Sequence, residues 1–513
     1  MFRSKTAGVL AIVALAIGVV AAQDAAPGFR AIVSDIAAPG IDTGIRISDP
    51  PRPPRPYPTD VTIGATGVPY LRGSIAVKFR PGTAPAAQRI MIDRVGASTM
   101  DTPSYADFNI VTIDENADPE AAAAALAQEP DVEYAQARYR MHPMFVPNDP
   151  LFAQQWNYTT IDMERAWDLN PGAASSIVVA VVDSGVAYRS EVLRFNAGTW
   201  RGGLGATIFT FPALGPIDVP FAAAPDLGGP DRFVAPRDFI WNGTDPVDMD
   251  GHGTHVTGTV GQLTNNGIGV AGMAFNVRIM PVKVIDSLWD DIFGAPFQGT
   301  DDVVARGVRY AVDSGAKVLN MSIGRSGPPS PLLQEALIYA TQHGAFVSIA
   351  AGNDFEQGNP TEWPAAYANS IQGVVAVGAI GRDRQRAYYS TTGSYVELAA
   401  PGGNQRSGGT AGGIFQQTYD LSFVETYAFG PARYGPPRFD VFAYLPFQGT
   451  SMAAPHVSGL AAMLMQQGIT SPAAVEAAME KFATDLGPAG RDDQYGFGLI
   501  NPRAALRGMG LAQ

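Results

Sequence analysis

Short apolar segments alternate with helical segments from residue 147 to residue 513, and this alternation constrains the fold more than any other feature of the sequence. The apolar segments carry Val, Ile, Ala and Leu in unbroken runs, which is typical of parallel strands that are covered on both faces. The sequence therefore predicts an α/β fold, with a doubly wound, mainly parallel sheet and helices on both faces. We expect strands at 177–182, 278–284, 317–321, 346–350 and 374–378, and helices at 252–262, 301–314 and 331–343.

Two stretches interrupt this alternation. Residues 188–240 and 404–447 are rich in glycine, proline and aromatic residues and show no sustained period. We expect both to be long inserted loops.

The N-terminus has the three-part pattern of a secretory signal peptide over residues 1–22. Arg3 and Lys5 precede an apolar run at 7–20, and Val20-Ala21-Ala22 follows as a cleavage signal. The run is shorter than the ~20 apolar residues of a membrane-spanning helix, so we expect a secreted, extracellular protein and no membrane partner.

Between this signal and the α/β region lie two further segments. Residues 23–66 are rich in proline and glycine, including a proline-rich run at 50–56, and are expected to form an extended linker. Residues 67–142 alternate as a small α+β domain of β-α-β-β-α-β order, with Asp118 as a helix N-cap and Pro119 at the first helical position. One strand of that order has no clear sequence signal.

Composition limits the partners and the chemistry. The formal net charge of −13 argues against nucleic acid or an anionic membrane as a partner. The absence of cysteine excludes disulfides, thiol nucleophiles and thiolate metal sites, which leaves packing or bound ions to stabilise an exported protein. We expect a monomer.

Ser451 stands at the start of an apolar helix in the run Gly449-Thr450-Ser451-Met452-Ala453-Ala454-Pro455-His456. A serine in this position is most often only an N-cap. A nucleophilic role requires a base, an orienting carboxylate and an oxyanion donor elsewhere in the chain.

Two upstream residues can supply the base and the carboxylate. Asp183 ends the first strand of the α/β region, and open α/β sheets place their sites at that end of a strand. His252 is flanked by Gly251 and Gly253, which indicates a helix packed close to another backbone. A zinc site is disfavoured because His252 and His255 are three residues apart with no glutamate between them. The order Asp, His, Ser also differs from the Ser, Asp, His order of α/β-hydrolases.

The three motifs together resemble the signatures of the subtilisin-like serine proteases. They are Val182-Asp183-Ser184-Gly185, Gly251-His252-Gly253-Thr254-His255-Val256 and Gly449–His456, and the resemblance covers about residues 150–510. It implies a subtilisin-like fold and an endopeptidase with Ser451, His252 and Asp183 as the catalytic triad. No catalytic metal or organic cofactor is implied.

The resemblance also implies an oxyanion donor and a substrate cleft. Asn353 in Ala350-Ala351-Gly352-Asn353 corresponds to the family's oxyanion asparagine. Substrate would bind as an extended strand, and Glu362, next to Trp363-Pro364, would lie near the primary specificity pocket and favour Lys or Arg at P1. A surface glutamate beside a loop is the alternative. The expected substrate-binding residues are Ser322, Ile323, Gly324, Gly299, Ala351, Gly352 and Glu362.

Structural calcium is a further implication of the resemblance. Residues 263–270 resemble the family's calcium loop, which makes Asn265 a candidate ligand, and Asp248 stands with Asp245 and Asp250 in a second oxygen-rich cluster. The acidic partner that the family places soon after the catalytic aspartate has no clear counterpart, Glu191 being the nearest.

The segment 67–142 resembles the propeptide of these proteases, which folds the enzyme and inhibits it until cleavage. The chain would then be a self-processing zymogen with its own propeptide as an inhibitory partner and a catalytic domain at 147–513. Two alternatives stay open: a catalytically silent subtilisin-like binding protein that uses its long loops, and an esterase or peptide ligase with the same triad.

Overall fold

The computed structural model describes residues 61–63, 69–139, 145–196, 198–204, 207–214, 216–424 and 437–510. The predicted signal peptide at 1–22 and most of the predicted linker lie outside these residues. Contacts divide the chain into two units, Met1–His142 and Pro143–Gln513, and each is described by itself.

The first unit is a small antiparallel sheet covered by two helices. The strand order is β1-β2-β4-β3, and β5 also pairs with β2. The predicted β-α-β-β-α-β order is confirmed from β2 to β5, and the strand without a sequence signal is β3, which at three residues is too short to show a period. Strand β1 was not predicted, because it lies in the segment 23–66 that was expected to be an extended linker. Asp118 caps its helix by accepting a hydrogen bond from the Glu120 N–H. The elements are β1 Val61–Ile63, β2 Pro69–Phe79, α1 Pro85–Asp93, β3 Thr99–Asp101, β4 Asn109–Thr112, α2 Pro119–Leu126 and β5 Val132–Tyr139.

The second unit is built on a seven-stranded sheet in which every neighbouring pair is parallel, as predicted. The strand order is β11-β12-β6-β13-β14-β15-β16. The strands of the second unit are β6 Val178–Asp183, β7 Glu191–Phe195, β8 Gly198–Leu204, β9 Thr207–Leu214, β10 Ile217–Phe221, β11 Arg237–Asp238, β12 Arg278–Lys283, β13 Val318–Met321, β14 Phe346–Ala350, β15 Val374–Ile380, β16 Val396–Pro401, β17 Ile414–Tyr419 and β18 Phe442–Phe447.

Helices cover both faces of this sheet. Alternate residues of β6 face opposite layers: Val179 and Val181 join the core that contains α5 and α11, while Val178 joins the core that contains α7 and α8. The helices are α3 Trp156–Thr160, α4 Met163–Trp167, α5 His252–Gly261, α6 Leu288–Phe293, α7 Asp301–Asp313, α8 Pro331–Gln342, α9 Gln405–Gly408, α10 Leu421–Val424, α11 Thr450–Gln466, α12 Pro472–Phe482 and α13 Pro502–Gly510. Single 3-10 turns lie at Phe152–Gln154, Pro230–Arg232, Phe355–Gln357, Ala365–Asn369 and Thr410–Gly412.

Strand β6 lies at the point where the order of the sheet reverses, with β12 on one side and β13 on the other. Crossover connections diverge there, which opens a crevice at the carboxyl ends of the strands. Asp183, the last residue of β6, therefore stands at the position where open α/β sheets hold their ligands.

The prediction that 188–240 and 404–447 are loops is wrong, because both contain antiparallel strands. Strand β7 pairs with β10, β8 with β9, and β17 with β18. Aromatic stacking fixes β7 to the core and β10 to the segment before β18, with Phe195 on Phe293 at 4.3 Å and Phe221 on Phe439 at 4.9 Å between ring centroids. Glycine and proline within these strands hide the period of two on which a sequence-based strand prediction depends.

Within the described residues, no helix has both the length and the apolar character needed to cross a membrane.

Candidate active site

Asp183 and His252 form a buried pair between the end of β6 and the start of α5. The Asp183 side chain is 2% exposed, and its Oδ1 lies 2.7 Å from Nδ1 of His252. The same Oδ1 accepts a hydrogen bond from the Ser184 N–H at 2.8 Å. The carboxylate is thus held by its own strand end, and it fixes which nitrogen of the imidazole faces away from it.

Glycine at position 253 makes this approach possible. A Cβ there would lie 2.2 Å from the carbonyl oxygen of Gly185 and 3.2 Å from Oδ1 of Asp183. Any larger residue would push α5 away from the end of β6. The predicted close packing of the glycine-rich helix is confirmed, and it accounts for the short distance between Asp183 and His252.

Ser451 is the second residue of α11, and its carbonyl has an unusual partner. Pro455 lies inside the helix and has no N–H to donate to this carbonyl four residues earlier. The hydroxyl of Ser322 donates to it instead at 2.7 Å, while the Ser451 hydroxyl donates to the Ser322 carbonyl at 3.1 Å. Ser322 therefore holds Ser451 from the end of a neighbouring strand. The sequence-based expectation placed Pro455 in the first turn of the helix, where it would remove at most one intrahelical hydrogen bond, whereas Pro455 is the sixth residue of α11.

Asn353 follows β14 and is locked against the residue before Ser451. Its Oδ1 accepts hydrogen bonds from both the N–H and the hydroxyl of Thr450, each at 2.9 Å. Because the amide oxygen is occupied in this way, the NH₂ group is left as the donor that Asn353 presents to its surroundings.

His252, Asn353 and Ser451 line a single open concavity of about 350 Å³. The predicted site residues are therefore brought together from three distant parts of the sequence. One wall was not predicted: Gln405 of α9, Pro446 and Phe447 of β18, Gln448 directly after β18 and Met452 of α11 complete the lining. Pro446 and Phe447 are close to Ser451 in sequence, which was the available signal, but together with Gln405 they fell in the segment 404–447 that was interpreted as a loop.

The surroundings of His252 favour its protonated form. Burial lowers the pKa of the imidazole, but attraction to Asp183 and the hydrogen bond with it, followed by the charges of Asp250 and Asp248, outweigh burial and raise the pKa to about 9. Solvent reaches 28% of the His252 side chain and screens part of this attraction.

This electrostatic arrangement predicts an alkaline shift in activity. A base must be neutral to accept a proton, so the acid limb of kcat/KM against pH should lie above 6.5. Asp250→Asn removes one negative charge but retains the oxygen that accepts the His252 N–H at 3.1 Å. It should move this limb to lower pH. An unchanged or more alkaline limb in this variant, measured on a small peptide substrate, would contradict the assignment of the limb to His252.

The predicted substrate-binding residues fall into two groups: those near Ser451 and Asn353, and Gly299 by itself. Ser322 and Gly324 flank Ile323, which packs against the core, while Ala351 is fully buried and Gly352 has a left-handed φ of +112° beside Asn353. Gly299 is exposed on the segment before α7, and its described contacts are with Asp286 and Ile285. The first group borders Ser451 and Asn353, whereas Gly299 stays a prediction.

Glu362 is buried beneath the first of these groups and is 3% exposed. Its Cγ lies 2.3 Å from where a Cβ on Gly352 would stand, and its Oε2 lies 3.9 Å from the corresponding point on Gly324. Burial, and then a hydrogen bond and like charge from Asp354, raise the pKa of Glu362 to about 7. Among the described residues its Oε1 has no hydrogen-bond partner. The alternative of an exposed surface glutamate is therefore wrong.

The carboxylates of the second oxygen-rich cluster, which includes Asp245 and Asp248, do not face one common point. Asp248 is fully buried and accepts hydrogen bonds from the side chains or N–H groups of Ser184, Asp250, Gly251 and Thr254. Asp245 instead pairs with Arg189. Asp248 has the contacts of a structural residue that fixes the turn before His252.

The loop at 263–270 has two acidic neighbours that the sequence analysis missed. Asp149 accepts from the N–H groups of Asn265 and Asn266 at 2.8 and 3.2 Å, and Asp226 accepts from the Asn266 side chain at 2.7 Å. Burial raises the pKa of Asp226 to about 6. Asp226 lies 43 positions after Asp183 because an inserted segment intervenes, whereas Glu191, the nearer candidate, pairs with Arg189.

Comparison with protein families agrees with this geometry. The subtilase family matches residues 174–498, and the N-terminal prodomain of fervidolysin matches residues 57–137. The first match spans more than half of the chain and contains the strand end, the glycine-rich helix and the start of α11.

Individual proteins are similar over most of the chain. Thermitase from Thermoactinomyces vulgaris is 32% identical over 71% of this chain and 100% of its own length. The thermophilic serine proteinase of Bacillus sp. strain AK1 is 30% identical over 83% of this chain and 86% of its own. Among solved structures, a protease from Pseudoalteromonas arctica is 29% identical, with a TM-score of 0.54, and the match covers 71% of this chain and 100% of that one. The chain therefore belongs to the subtilase family, as a subtilisin-like serine protease with an N-terminal prodomain similar to that of fervidolysin.

Proposed function

We propose that this protein is a secreted serine endopeptidase, made as a self-processing zymogen, in which Asp183, His252 and Ser451 form the catalytic triad. The observation that carries the proposal is the 2.7 Å contact between Asp183 and His252 beside the concavity that His252 shares with Ser451. A carboxylate, an imidazole and a hydroxyl in this arrangement are suited to acyl transfer.

The chemistry follows from the contacts. The Ser451 hydroxyl turns from the Ser322 carbonyl toward His252, which takes its proton as the Ser451 oxygen attacks the scissile carbonyl carbon. Asp183 stabilises the imidazolium, and His252 then returns the proton to the leaving amine as the C–N bond breaks. Water repeats the sequence on the acyl-enzyme and releases the acid product.

Two donors are available for the oxyanion of the tetrahedral intermediate. One is the NH₂ group of Asn353, whose orientation is set by the two bonds that Thr450 donates. The other is the N–H of Ser451, which belongs to the first turn of α11, where N–H groups have no intrahelical acceptor. These donors are fixed before the reaction begins, so little reorganisation is needed as charge develops.

A fluorophosphonate probe tests the proposal directly, because it reacts with an activated serine. We expect the processed protein to be labelled at Ser451 and the Ser451→Ala variant to be unlabelled. Labelling of neither protein, with both folded, would overturn the protease assignment in favour of a silent binding protein. Comparing hydrolysis with aminolysis on a peptide ester separates a protease from a ligase.

Substrate should bind as an extended strand along Ser322–Gly324, with Gly299 on the opposite wall and Ala351–Gly352 beside the P1 side chain. Main-chain hydrogen bonds would then supply affinity, and pockets for alternate side chains would supply selectivity. Glu362 lies under Gly352 and near Gly324, with Asp354 beside it and one oxygen without a partner. Two adjacent carboxyl groups accommodate a cation well, so we propose Lys or Arg as the preferred P1 residue.

A set of peptides that differ only at P1 measures this preference. Charge-assisted hydrogen bonds contribute about 1.5–3 kcal/mol, so Glu362→Gln should lower kcat/KM for Lys and Arg about 10- to 100-fold. Peptides with Phe or Leu should be affected little. If Phe or Leu outpaces Lys and Arg on the unaltered enzyme, the P1 proposal fails while the triad assignment is unaffected.

The prodomain and the N-terminus support the remaining parts of the proposal. A prodomain similar to that of fervidolysin fits a propeptide that inhibits the enzyme until it is cut, and relatives include an extracellular protease of Xanthomonas campestris. Intact mass and N-terminal sequencing of the protein recovered from culture medium would test export and processing together. Ser451→Ala should remain unprocessed.

Calcium is the ion that the loop at 263–270 fits best. Asp149 and Asp226 offer two buried carboxylates beside Asn265 and Asn266, an all-oxygen set of the kind that calcium prefers. Calcium would offset the repulsion between the two aspartates and tie the loop to residues near position 149, with no part in the chemical step.

Chelation should therefore lower thermal stability rather than kcat. An ion present at 100 times its Kd stabilises by about 2.7 kcal/mol, and that contribution should disappear with EGTA. Asp226→Asn should melt lower than the parent in calcium and respond little to EGTA. A melting temperature that is equal with calcium and with EGTA in the unaltered protein would exclude this role.

A further inference from the structure

Three glutamates meet beside the edge of the seven-stranded sheet, away from the residues assigned above. Glu397 belongs to the edge strand β16, and Glu476 and Glu480 belong to α12, which packs against β14 and β15. One carboxylate oxygen from each residue lies within 4.8 Å of the other two. Glu397 and Glu476 are only 6% and 8% exposed.

A bulge in β16 sets the direction of Glu397. The partner of Ala376 is Val396, but the partner of Val377 is Leu398, so Glu397 is the extra residue between two paired positions. Bulges are rare in parallel pairs, and they re-aim a side chain. The Oε2 atom of Glu397 is buried and has no hydrogen-bond partner among the described residues.

The two helix glutamates face the same point. Glu476 and Glu480 are four residues apart, one turn along the helix, where like charges destabilise a helix. Glu476 also accepts a hydrogen bond from the Gly373 N–H. Burial, and then the charges of Glu476 and Glu480, raise the pKa of Glu397 to about 9, which indicates that the three carboxylates repel one another.

Within the described residues, protein cations offset the charge of these three glutamates only in part. Arg491 is the cation that acts on Glu397 and Glu480, but its guanidinium donates to the carbonyls of Ser394 and Val396 and lies over the ring of Phe497. In the part of the chain that the structure describes, Arg491 forms no ion pair with any of the three glutamates.

We propose that Glu397, Glu476 and Glu480 bind a divalent cation of the size of Ca²⁺ at this edge of the sheet. Ca²⁺ contacts oxygens at about 2.3–2.6 Å, so one ion can hold oxygens that are up to about 5 Å apart. Mg²⁺ binds at about 2.0–2.1 Å and would require the carboxylates to move closer together. The ion would tie α12 to β16, whose far end leads to Gly402 and, through the Gly402 carbonyl, to the Gly449 N–H beside Ser451.

Counting bound ions tests this site independently of the protease assignment. The full chain carrying Ser451→Ala cannot digest itself, and equilibrium dialysis against Ca²⁺ at mildly alkaline pH gives the number of ions bound per chain. Adding Glu476→Gln and Glu480→Gln should lower that number by one and should lower the Ca²⁺-dependent rise in melting temperature. The loop at 263–270 is untouched by these changes, so its own ion does not affect the difference.

Glu335→Gln on the exposed face of α8 is the matched control, and it should bind the same number of ions as the parent. If the double variant does not fold, as judged by near-UV circular dichroism, Glu480→Gln alone should weaken Ca²⁺ binding at this site at least about tenfold. An equal number of ions and an equal thermal response in the parent and the folded variants would overturn the proposal, and shared protons would then hold the cluster together.

Discussion

His252→Ala should lower kcat by about 10⁶-fold, and adding Ser451→Ala to it should lower kcat little further. Residues of a triad act as one unit, so losing the base costs nearly as much as losing the base and the nucleophile together. Asp183→Asn should cost about 10⁴-fold, because the 2.7 Å contact then no longer holds the imidazole in the working tautomer. Single-turnover rates on an activated peptide ester measure these losses.

The matched control is His343→Ala, which alters an exposed histidine after the C-terminus of α8 and should leave kcat unchanged. Near-UV circular dichroism establishes that each variant is folded. Losses that add, so that the double variant falls far below either single variant, would mean that His252 and Ser451 do not act in one step.

Asn353→Ala should lower kcat about 10²- to 10³-fold and leave KM nearly unchanged. Loss of one preorganised oxyanion donor has an effect of this size, because its bond strengthens only as charge develops on the substrate oxygen. The residual activity comes from the Ser451 N–H and from the triad, which the substitution does not touch.

Asn353→Asp separates the donor role from a structural one. An aspartate can still accept the two hydrogen bonds that Thr450 donates, but it has no N–H to offer the oxyanion and adds a negative charge. We expect it to be at least as inactive as the alanine variant. Wild-type kcat in Asn353→Asp would show that Asn353 only anchors Thr450.

The sequence was most informative where short motifs carry chemistry. Asp183, His252, Ser451 and Asn353 were predicted because each stands in a run of small residues, and the structure brings all four to the carboxyl ends of parallel strands. Five of the seven strands of the main sheet were predicted nearly to the residue, since a buried parallel strand is an unbroken apolar run, whereas β11 and β16 were not predicted. Strand β3 and the inserted ladders were missed because they are too short, or too rich in glycine and proline, to show a period.

Contacts between residues that are distant in the sequence could not be predicted either. Asp226 stands beside the loop at 263–270 only because the inserted strands return the chain to it. Such an insertion changes the spacing between Asp183 and this acidic residue, so spacing could not identify it. Glu397, Glu476 and Glu480 come together through a bulge and a helix register that sequence does not reveal. The burial of Glu362 likewise depends on Gly352 having no Cβ, which is a property of the packed site.

The proline in α11 has a consequence for when the enzyme becomes active. Because Pro455 cannot supply the bond, the Ser451 carbonyl is held by a hydroxyl 129 positions earlier in the chain. We expect a nascent or partly folded chain to lack that hydrogen bond, so that Ser451 is not yet held in position. We therefore expect proteolytic activity only after β13 has joined the sheet and placed Ser322 beside α11, which would limit self-digestion of molecules that are still folding.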